Sequence, residues 1–226
     1  MRTKTTLKVL KIVFVTRLLL AFFLAMGQAA ENSPSPEALK PFEETKQRGD
    51  LQGLLSVFRQ IGQANNKEAA LTILNAGLSG KILEGLGEEQ IQQVLKTSQE
   101  VLTRMTDPEA WKVIFKATPE HPDWRVRVML LDVVKTQVES EKNEKRAKRA
   151  IIGCLTDNVD AVALKAIDLT GDLKIKEAVP KLMRIVLAKW GQNVGLGAAK
   201  GAAALEKITG TSAPEGWYQW LNKNSQ

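Results

Sequence analysis

Apolar residues recur at helical spacing along most of the 226-residue chain. From Leu51 to Ile61 and from Glu88 to Met105 they fall on one side of a helix, and polar residues occupy the other side. No stretch shows a sustained alternation of apolar and polar residues, which would be typical of a strand with one buried face. The pattern therefore predicts an all-α fold with essentially no sheet.

Residues that favour caps and turns divide this pattern into separate helices. Asp107 and Pro108 open one helix, which is expected to end before Pro119 because proline has no amide hydrogen to donate. On its N-terminal side, helices are predicted over residues 37–47, from 51, over 67–76 and over 88–105, with a short or broken helix over 78–86. On its C-terminal side, helices are predicted over residues 123–138, 142–155, 157–170, 175–190 and 193–209.

Three of these helices share one apolar face at intervals of about 36 residues, the length of a typical helical repeat. The aligned positions are Val126, Leu130, Leu131 and Val133, then Val162, Ala166, Ile167 and Leu169, then Ala198, Ala202, Ala203 and Leu205. A single helix pair cannot bury its own hydrophobic face, so such repeats indicate pairs that stack on one another. Residues 107–210 are therefore interpreted as repeats. The irregular spacing in residues 37–105 leaves two interpretations open, namely degenerate repeats or an unrelated helical domain.

The first copy opens with Asp123-Trp124-Arg125-Val126-Arg127, and the third ends in Ala204-Leu205-Glu206-Lys207-Ile208-Thr209-Gly210. These segments resemble the short bacterial HEAT repeats, although the later copies lack the arginines. The resemblance implies a right-handed α-solenoid of antiparallel helix pairs, in which the second helix of each pair lines a concave, protein-binding face. It implies no catalytic residue. Polar residues of the second helices are then the candidates for contact with a protein partner: Arg125, Arg127, Asp132, Lys165, Asp168 and Lys200.

The N-terminus has the order of a secretory signal peptide. Five basic residues and no acidic residue accompany an apolar run from Leu18 to Met26, and Gly-Gln-Ala-Ala follows. We interpret residues 1–29 as the signal, with cleavage after Ala29 or Ala30, and residues 30–36 as a flexible leader. A retained membrane anchor is the alternative, but Arg17 limits the apolar run to nine residues where about 20 span a bilayer. The protein is expected to be periplasmic or extracellular, without stable membrane insertion after cleavage.

Removal of residues 1–29 changes the charge of the chain considerably. It takes away five of the 32 Lys and Arg and none of the 25 Asp and Glu, which leaves 27 against 25 and a net charge of +2. The high isoelectric point is thus mainly a property of the signal. Overall charge therefore gives no reason to expect nucleic acid or an anionic membrane as a partner.

Cys154 and His121 are each the only residue of their type. A lone Cys can form no internal disulfide, and one His without a second His or Cys makes no metal set. The sequence indicates no cofactor. A catalytic Cys–His pair requires only proximity in space, so that alternative stays open. The favoured interpretation is a buried structural Cys154 and a His121 exposed in a loop between two prolines.

Two segments invite a functional interpretation beside a structural one. The glycines between Gly195 and Gly201 could approach a phosphate, but close helix packing is favoured because the spacing is wrong for a dinucleotide fingerprint. Lys142 to Arg149 is rich in Lys and Arg and could bind an acidic partner. Because Glu139, Glu141 and Glu144 lie among these cations, a solvated helix face with weak ion pairs is favoured.

The C-terminal segment 211–226 carries Trp217 and Trp220, three residues apart. One helix face could present both to the last repeat and close its open end, as a terminal repeat requires. An aromatic cleft for a peptide or glycan is the alternative. Taken together, the sequence predicts a non-enzymatic protein-binding scaffold or adaptor whose oligomeric state is open. A ligand-binding, lyase-like or enzyme-accessory HEAT-like protein is the alternative function.

Overall fold

The structure, a computed structural model, describes residues 36–188 and 195–224. The predicted signal peptide, most of the leader and Trp190 lie outside the described residues. Within them the chain forms twelve α-helices and no strand, which confirms the all-α prediction. The helices are α1 Pro36–Gln47, α2 Leu51–Gln63, α3 Lys67–Leu71 with its π-helical continuation Thr72–Gly77, α4 Gly80–Leu83, α5 Glu88–Thr103, α6 Pro108–Glu120, α7 Trp124–Lys135, α8 Glu144–Gly153, α9 Asp160–Asp172, α10 Val179–Leu187, α11 Leu196–Thr209 and α12 Pro214–Asn224.

The helices pack in two rows. In the first row, α2, α5, α7, α9 and α11 lie side by side, each in contact with the next. In the second row, α3, α6 and α8 do the same, and α10 continues the row through a hydrogen bond from Lys181 Nζ to the Ile152 carbonyl of α8 (3.0 Å). Each helix from α6 to α8 also packs against the next helix in the chain, and α10 packs against α11. The apolar core between the rows runs from Leu39 to Trp217, and no break in packing separates residues 37–105 from the later helices.

The helix that begins at Pro108 does not end before Pro119, as the sequence predicts, but continues to Glu120. The prediction is wrong because Pro119 removes only one hydrogen bond, the one to the carbonyl four residues earlier, and the helix ends one residue later, so little helix depends on it. The His121 N–H bonds the Ala117 carbonyl at 2.8 Å and completes the turn. The proline ring packs on α8 at Gly153, where an added Cβ would lie 3.2 Å from Pro119 Cβ.

The π-helical end of α3 leaves one backbone acceptor without a partner in its own helix. Leu78 N–H bonds the Ile73 carbonyl at 2.9 Å and Ser79 N–H bonds the Ala76 carbonyl at 3.3 Å, so neither of them bonds the Leu74 carbonyl. Insertions of this kind are rare and place unsatisfied groups at defined positions. The Leu74 carbonyl accepts its hydrogen bond from His121 of a different part of the chain.

The third aligned copy differs from the sequence alignment. Ala198 and Leu205 are buried as predicted, but Ala203 is exposed and Ala202 only half-buried. Small residues explain the shift, because α9 and α11 approach so closely that a Cβ on Gly171 would lie 2.9 Å from Ala204 Cα. A helix that packs through its small residues can turn a different side to its neighbour than leucine-sized residues would require.

The C-terminal helix α12 packs against α10 and α11 at the end of both rows. Trp217 is fully buried and donates from Nε1 to the Thr211 carbonyl at 2.7 Å, while Trp220 packs partly buried against the core. Gly210 adopts the left-handed conformation (φ 76°) that ends α11 and turns the chain toward α12. Trp217 is therefore taken up by the core and is not available to line an aromatic cleft.

Candidate functional site

A series of ion pairs crosses the first row of helices. Lys165 Nζ on α9 lies 2.5 Å from Asp132 Oδ2 on α7, and Lys200 Nζ on α11 lies 2.5 Å from Asp168 Oδ2 on α9. We call these four residues the ladder. Their side chains retain between 28% and 47% of their accessible surface. The sequence placed all four on one face by helical phase, and the structure brings them together in pairs across the helices, an arrangement that phase alone does not reveal.

The ladder continues toward the C-terminal end of α9. Lys207 Nζ bonds Asp172 Oδ1 at 2.7 Å, and both side chains are more than half exposed. Sequence reasoning missed this pair. A signal existed, because Asp172 follows Asp168 by four residues and therefore lies one turn along the same face of α9.

Arg125 and Asp123 form a local pair at the start of α7. Asp123 caps the helix by accepting from Arg125 N at 2.8 Å, and its carboxylate also accepts from the guanidinium at 2.6 Å. Hydrogen bonding to Asp123 raises the pKa of Arg125 despite partial burial. Burial would raise the pKa of Asp123, but the hydrogen bonds from Arg125 outweigh it and the net shift is downward. Arg125 is thus charged, partly exposed and held in place.

Arg127 lies inside the fold, although it is one of the six candidates for partner contact. Its Nε and Nη2 each donate to Asp157 at 2.8 Å, and its Nη1 donates to the carbonyls of His121 (2.6 Å) and Pro122 (3.1 Å). It retains 7% of its accessible surface. We call Arg127 and Asp157 the buried pair; it joins the α6–α7 loop, α7 and the α8–α9 turn. The contacts of Arg127 support a structural role and remove it from the exposed face.

His121 is buried beside Arg127, where the α6–α7 loop meets α7 and the α8–α9 turn. We call this region the junction. The expectation of an exposed loop histidine is therefore wrong. Its Nδ1 accepts from Asp123 N–H (3.2 Å), which leaves Nε2 to donate to the Leu74 carbonyl (3.1 Å). Burial lowers the pKa of His121, and these hydrogen bonds and Asp123 only partly oppose it. The free acceptor of the π-helical segment explains why a loop side chain turns inward, and no sequence pattern marks that acceptor.

Cys154 is buried, as the sequence predicts, next to the same junction. Burial raises the pKa of its thiol to about 12, so the reactive thiolate is not populated at neutral pH. Its Sγ lies 3.7 Å from the Thr118 carbonyl, whereas both His121 nitrogens have other partners. The structure therefore does not bring the two residues together as a nucleophile and base.

A shallow groove lies between α5 and α7, beside the N-terminal end of the ladder. It has a volume of about 190 Å³ and is lined by Gln92, Leu95, Lys96, Gln99, Trp124, Arg125, Val128, Met129 and Asp132. Trp124 is 44% exposed, an unusual state for so large an apolar ring. Two of the six predicted contact residues, Arg125 and Asp132, line this groove. The α5 residues were missed because the repeat alignment began only at α7.

The other candidate features have structural explanations. A Cβ on Gly201 would lie 2.7 Å from Val186 Cγ2 of α10, so this glycine serves close packing. A Cβ on Gly197 would only touch Leu164 Cδ2 at 4.0 Å, and Gly195 borders open space. Within the described ranges no group of three or more His, Cys, Asp and Glu side chains is arranged to hold a metal ion. None of the helices described by the structure combines the length and apolar character needed to cross a bilayer.

Comparisons with known proteins identify no relative of this chain. No family model matches it, and neither a curated protein nor a solved structure gives a significant match. The groove and the ladder are therefore the features from which a function can be inferred.

Proposed function

We propose that the chain is a HEAT-like α-solenoid that acts as a non-enzymatic protein-binding scaffold or adaptor. The packing supports this architecture, because the helices from α6 to α8 each contact the next helix of the chain as well as a helix of their own row. That order of contacts is typical of stacked helix pairs. The right-handed superhelix and the concave first row are implied by the resemblance to HEAT repeats. The proposed location is periplasmic or extracellular, from the signal peptide.

The observation that carries the proposal is the continuous polar face of the first row, with an exposed tryptophan at one end. Asp132, Lys165, Asp168 and Lys200 follow one another across three helices, and Trp124 lies beside them in the groove. Buried aromatic anchors surrounded by polar groups provide most of the binding energy in protein interfaces. A polypeptide laid across the row could cover the Trp124 ring and exchange hydrogen bonds with the ladder.

The size of the groove does not favour the alternative of a small-ligand or lyase-like protein. Small-molecule pockets usually enclose roughly 300–1,000 Å³ and bury most of the ligand, whereas this groove offers about 190 Å³ and is shallow. A protein partner needs no deep cavity, because interfaces of standard size are spread over a broad surface.

The test is affinity capture from envelope extract with three forms of the mature protein. The first is the wild type, the second carries Trp124→Ala and Lys96→Glu in the groove, and the third carries Tyr218→Ala and Lys223→Glu. The third is a matched control, since Tyr218 and Lys223 are likewise an exposed aromatic residue and an exposed lysine, but lie on α12. We expect a protein that the wild type and the control capture and the groove variant loses.

The capture result requires that all three forms fold alike, which circular dichroism and thermal unfolding will establish. If the groove variant retains every captured protein at the wild-type level, the first row is not the binding face and the proposal fails. A small molecule that co-purifies with the wild type and saturates binding would favour the ligand-binding alternative instead.

A further inference from the structure

A stripe of four exposed cations begins just before α8 and continues along that helix, in the second row. Lys145, Arg146 and Arg149 share one face of α8, because residues three and four apart are neighbours on a helix. Lys142 lies in the turn that precedes α8. We call these four residues the basic stripe. It lies on a helix of the second row, whereas the groove and the ladder belong to the first. A role for the basic stripe is therefore independent of the proposed scaffold function.

This segment is solvent-exposed and contains a weak ion pair, as the sequence predicts, but that pair does not include the basic stripe. Glu144 bonds Lys148 at 2.5 Å, and Lys148 lies 3.6 Å from Glu177, which precedes α10. Lys148 is partly buried on the flank of α8 that faces α10. Within the described part of the chain, no residue of the basic stripe forms an ion pair with a carboxylate. The one salt-bridged lysine of the segment is therefore the one outside the stripe.

The positive surface extends from α8 onto α10. Lys181 reaches the Ile152 carbonyl at the end of α8, and Arg184 follows it one turn later with an exposed side chain. Burial, and then the positive charge of Arg184, lower the pKa of Lys181. The first row contains both kinds of cation: Lys165 and Lys200 are each paired with an aspartate, whereas the exposed Arg59, Lys96 and Arg104 form no ion pair within the described residues. The basic stripe differs from these scattered cations because its unpaired charges follow one another closely along the chain.

We propose that the basic stripe is a peripheral docking surface for the anionic phospholipid headgroups of a bilayer. The stripe is unlike the centre of a protein interface, which is usually enriched in aromatic residues and depleted in lysine. The large apolar residues that the described part of the chain exposes are Trp124, Leu196 and Tyr218, and none lies on α8 or α10. Several flexible cations on one face can each meet a separate headgroup, and their contributions add.

The contact would be electrostatic and reversible. Without an apolar side chain to enter the acyl region, a surface of this kind attaches to a membrane by charge alone and releases at high salt. An exported protein would thereby be concentrated at a membrane surface, while its first row stays free for a partner. The docking surface is separate from the groove, so each can be removed without the other.

The test measures co-sedimentation of the mature protein with vesicles of phosphatidylcholine, with and without phosphatidylglycerol. We expect binding only to vesicles that contain phosphatidylglycerol, and its loss at high salt. Arg146→Gln with Arg149→Gln should weaken binding about thirty-fold, the effect of losing two surface cations. The matched control, Arg59→Gln with Arg104→Gln, removes two exposed arginines from the first row and should bind as the wild type does.

Three results would overturn the proposal. The first is equal binding to vesicles with and without phosphatidylglycerol. The second is an equal loss in the control variant, which would indicate a general charge effect. The third is binding to soluble poly-glutamate that exceeds binding to the vesicles and is lost in the Arg146 and Arg149 variant, which would assign the stripe to an acidic polypeptide. In each case, a variant whose midpoint temperature of thermal unfolding equals that of the wild type has kept its fold.

Discussion

The buried pair and the Asp132–Lys165 pair of the ladder both attach α7 to the part of the chain around α9, in two different environments. Arg127 and Asp157 join α7 to the α8–α9 turn with side chains that are 8% and 6% exposed. Asp132 and Lys165 join α7 to α9 a few residues further along, with side chains that are 36% and 28% exposed. Both contacts are ion pairs with good hydrogen-bond geometry, so the amount of water around them is the main difference.

That difference determines which pair the fold depends on. Desolvation of two charges is costly, and a buried pair compensates for it only when every donor finds an acceptor. Arg127 meets this condition through Asp157, two backbone carbonyls and a longer bond to Asn158 Oδ1 (3.5 Å). A half-exposed pair gains little because water competes for both partners. The buried pair is therefore expected to stabilise the junction, whereas the ladder can open for a partner at little cost.

Replacement of Arg127 should produce the largest effect. Arg127→Ala leaves the Asp157 carboxylate buried without its partner and the carbonyls of His121 and Pro122 without a donor. We expect the free energy of unfolding to fall by about 3–5 kcal/mol, the usual cost of breaking a buried ion pair. Urea unfolding followed by circular dichroism measures it.

The matched control for this variant is Arg125→Ala. Arg125 lies two residues away on the same helix and also pairs with an aspartate, but its side chain is 24% exposed. A loss of at most about 1 kcal/mol is expected, as for exposed pairs. Similar losses in both variants would show that burial does not distinguish the two arginines.

The sequence predicts most of the fold and about half of the candidate site. Helical periodicity and caps locate the helices because both are local properties, and the predicted repeat aligns Asp132 with Asp168. The burial of Arg127 could not be predicted, since its partner Asp157 lies 30 residues away in a turn. His121 was misjudged for a similar reason, because the acceptor that draws it inward is created by a π-helical segment 47 residues earlier. Long-range partners of single polar groups leave no periodic signal.

His121 should make the stability of the same junction depend on pH. The native pKa of His121 lies below the ordinary value of 6.5, mainly because of burial. As the pH falls through 6.5, the unfolded chain binds a proton that the native protein does not, so the free energy of unfolding decreases until the native pKa is passed. The loss is about 1.4 kcal/mol for each unit of difference between the two pKa values. Chemical unfolding between pH 7 and pH 5 measures it.

The variant His121→Gln tests the assignment of this titration. His121 is the only histidine of the chain, so the variant removes the one side chain that ordinarily titrates in that range. Its stability should be lower than that of the wild type at pH 7 but should change much less between pH 7 and pH 5. Below about pH 3.8 both proteins should lose stability. The native pKa values of Asp123 and Asp157 are lowered, so in this range the unfolded chain binds protons at these residues that the native protein does not. An unchanged pH dependence in the variant would assign the effect to another group.

The smallest effect is expected in the ladder, and it is measured by double-mutant cycles. Asp132→Ala and Lys165→Ala, alone and together, should give a coupling energy of about 0.2–1 kcal/mol, and Asp168 with Lys200 should give a similar value. Added salt should reduce both couplings, because these side chains are reached by water. A coupling above about 2 kcal/mol that is insensitive to salt would place the ladder in the same class as the buried pair. The ion pairs of the ladder would then hold the helices of the first row together, and a binding partner would have to replace contacts that the fold requires.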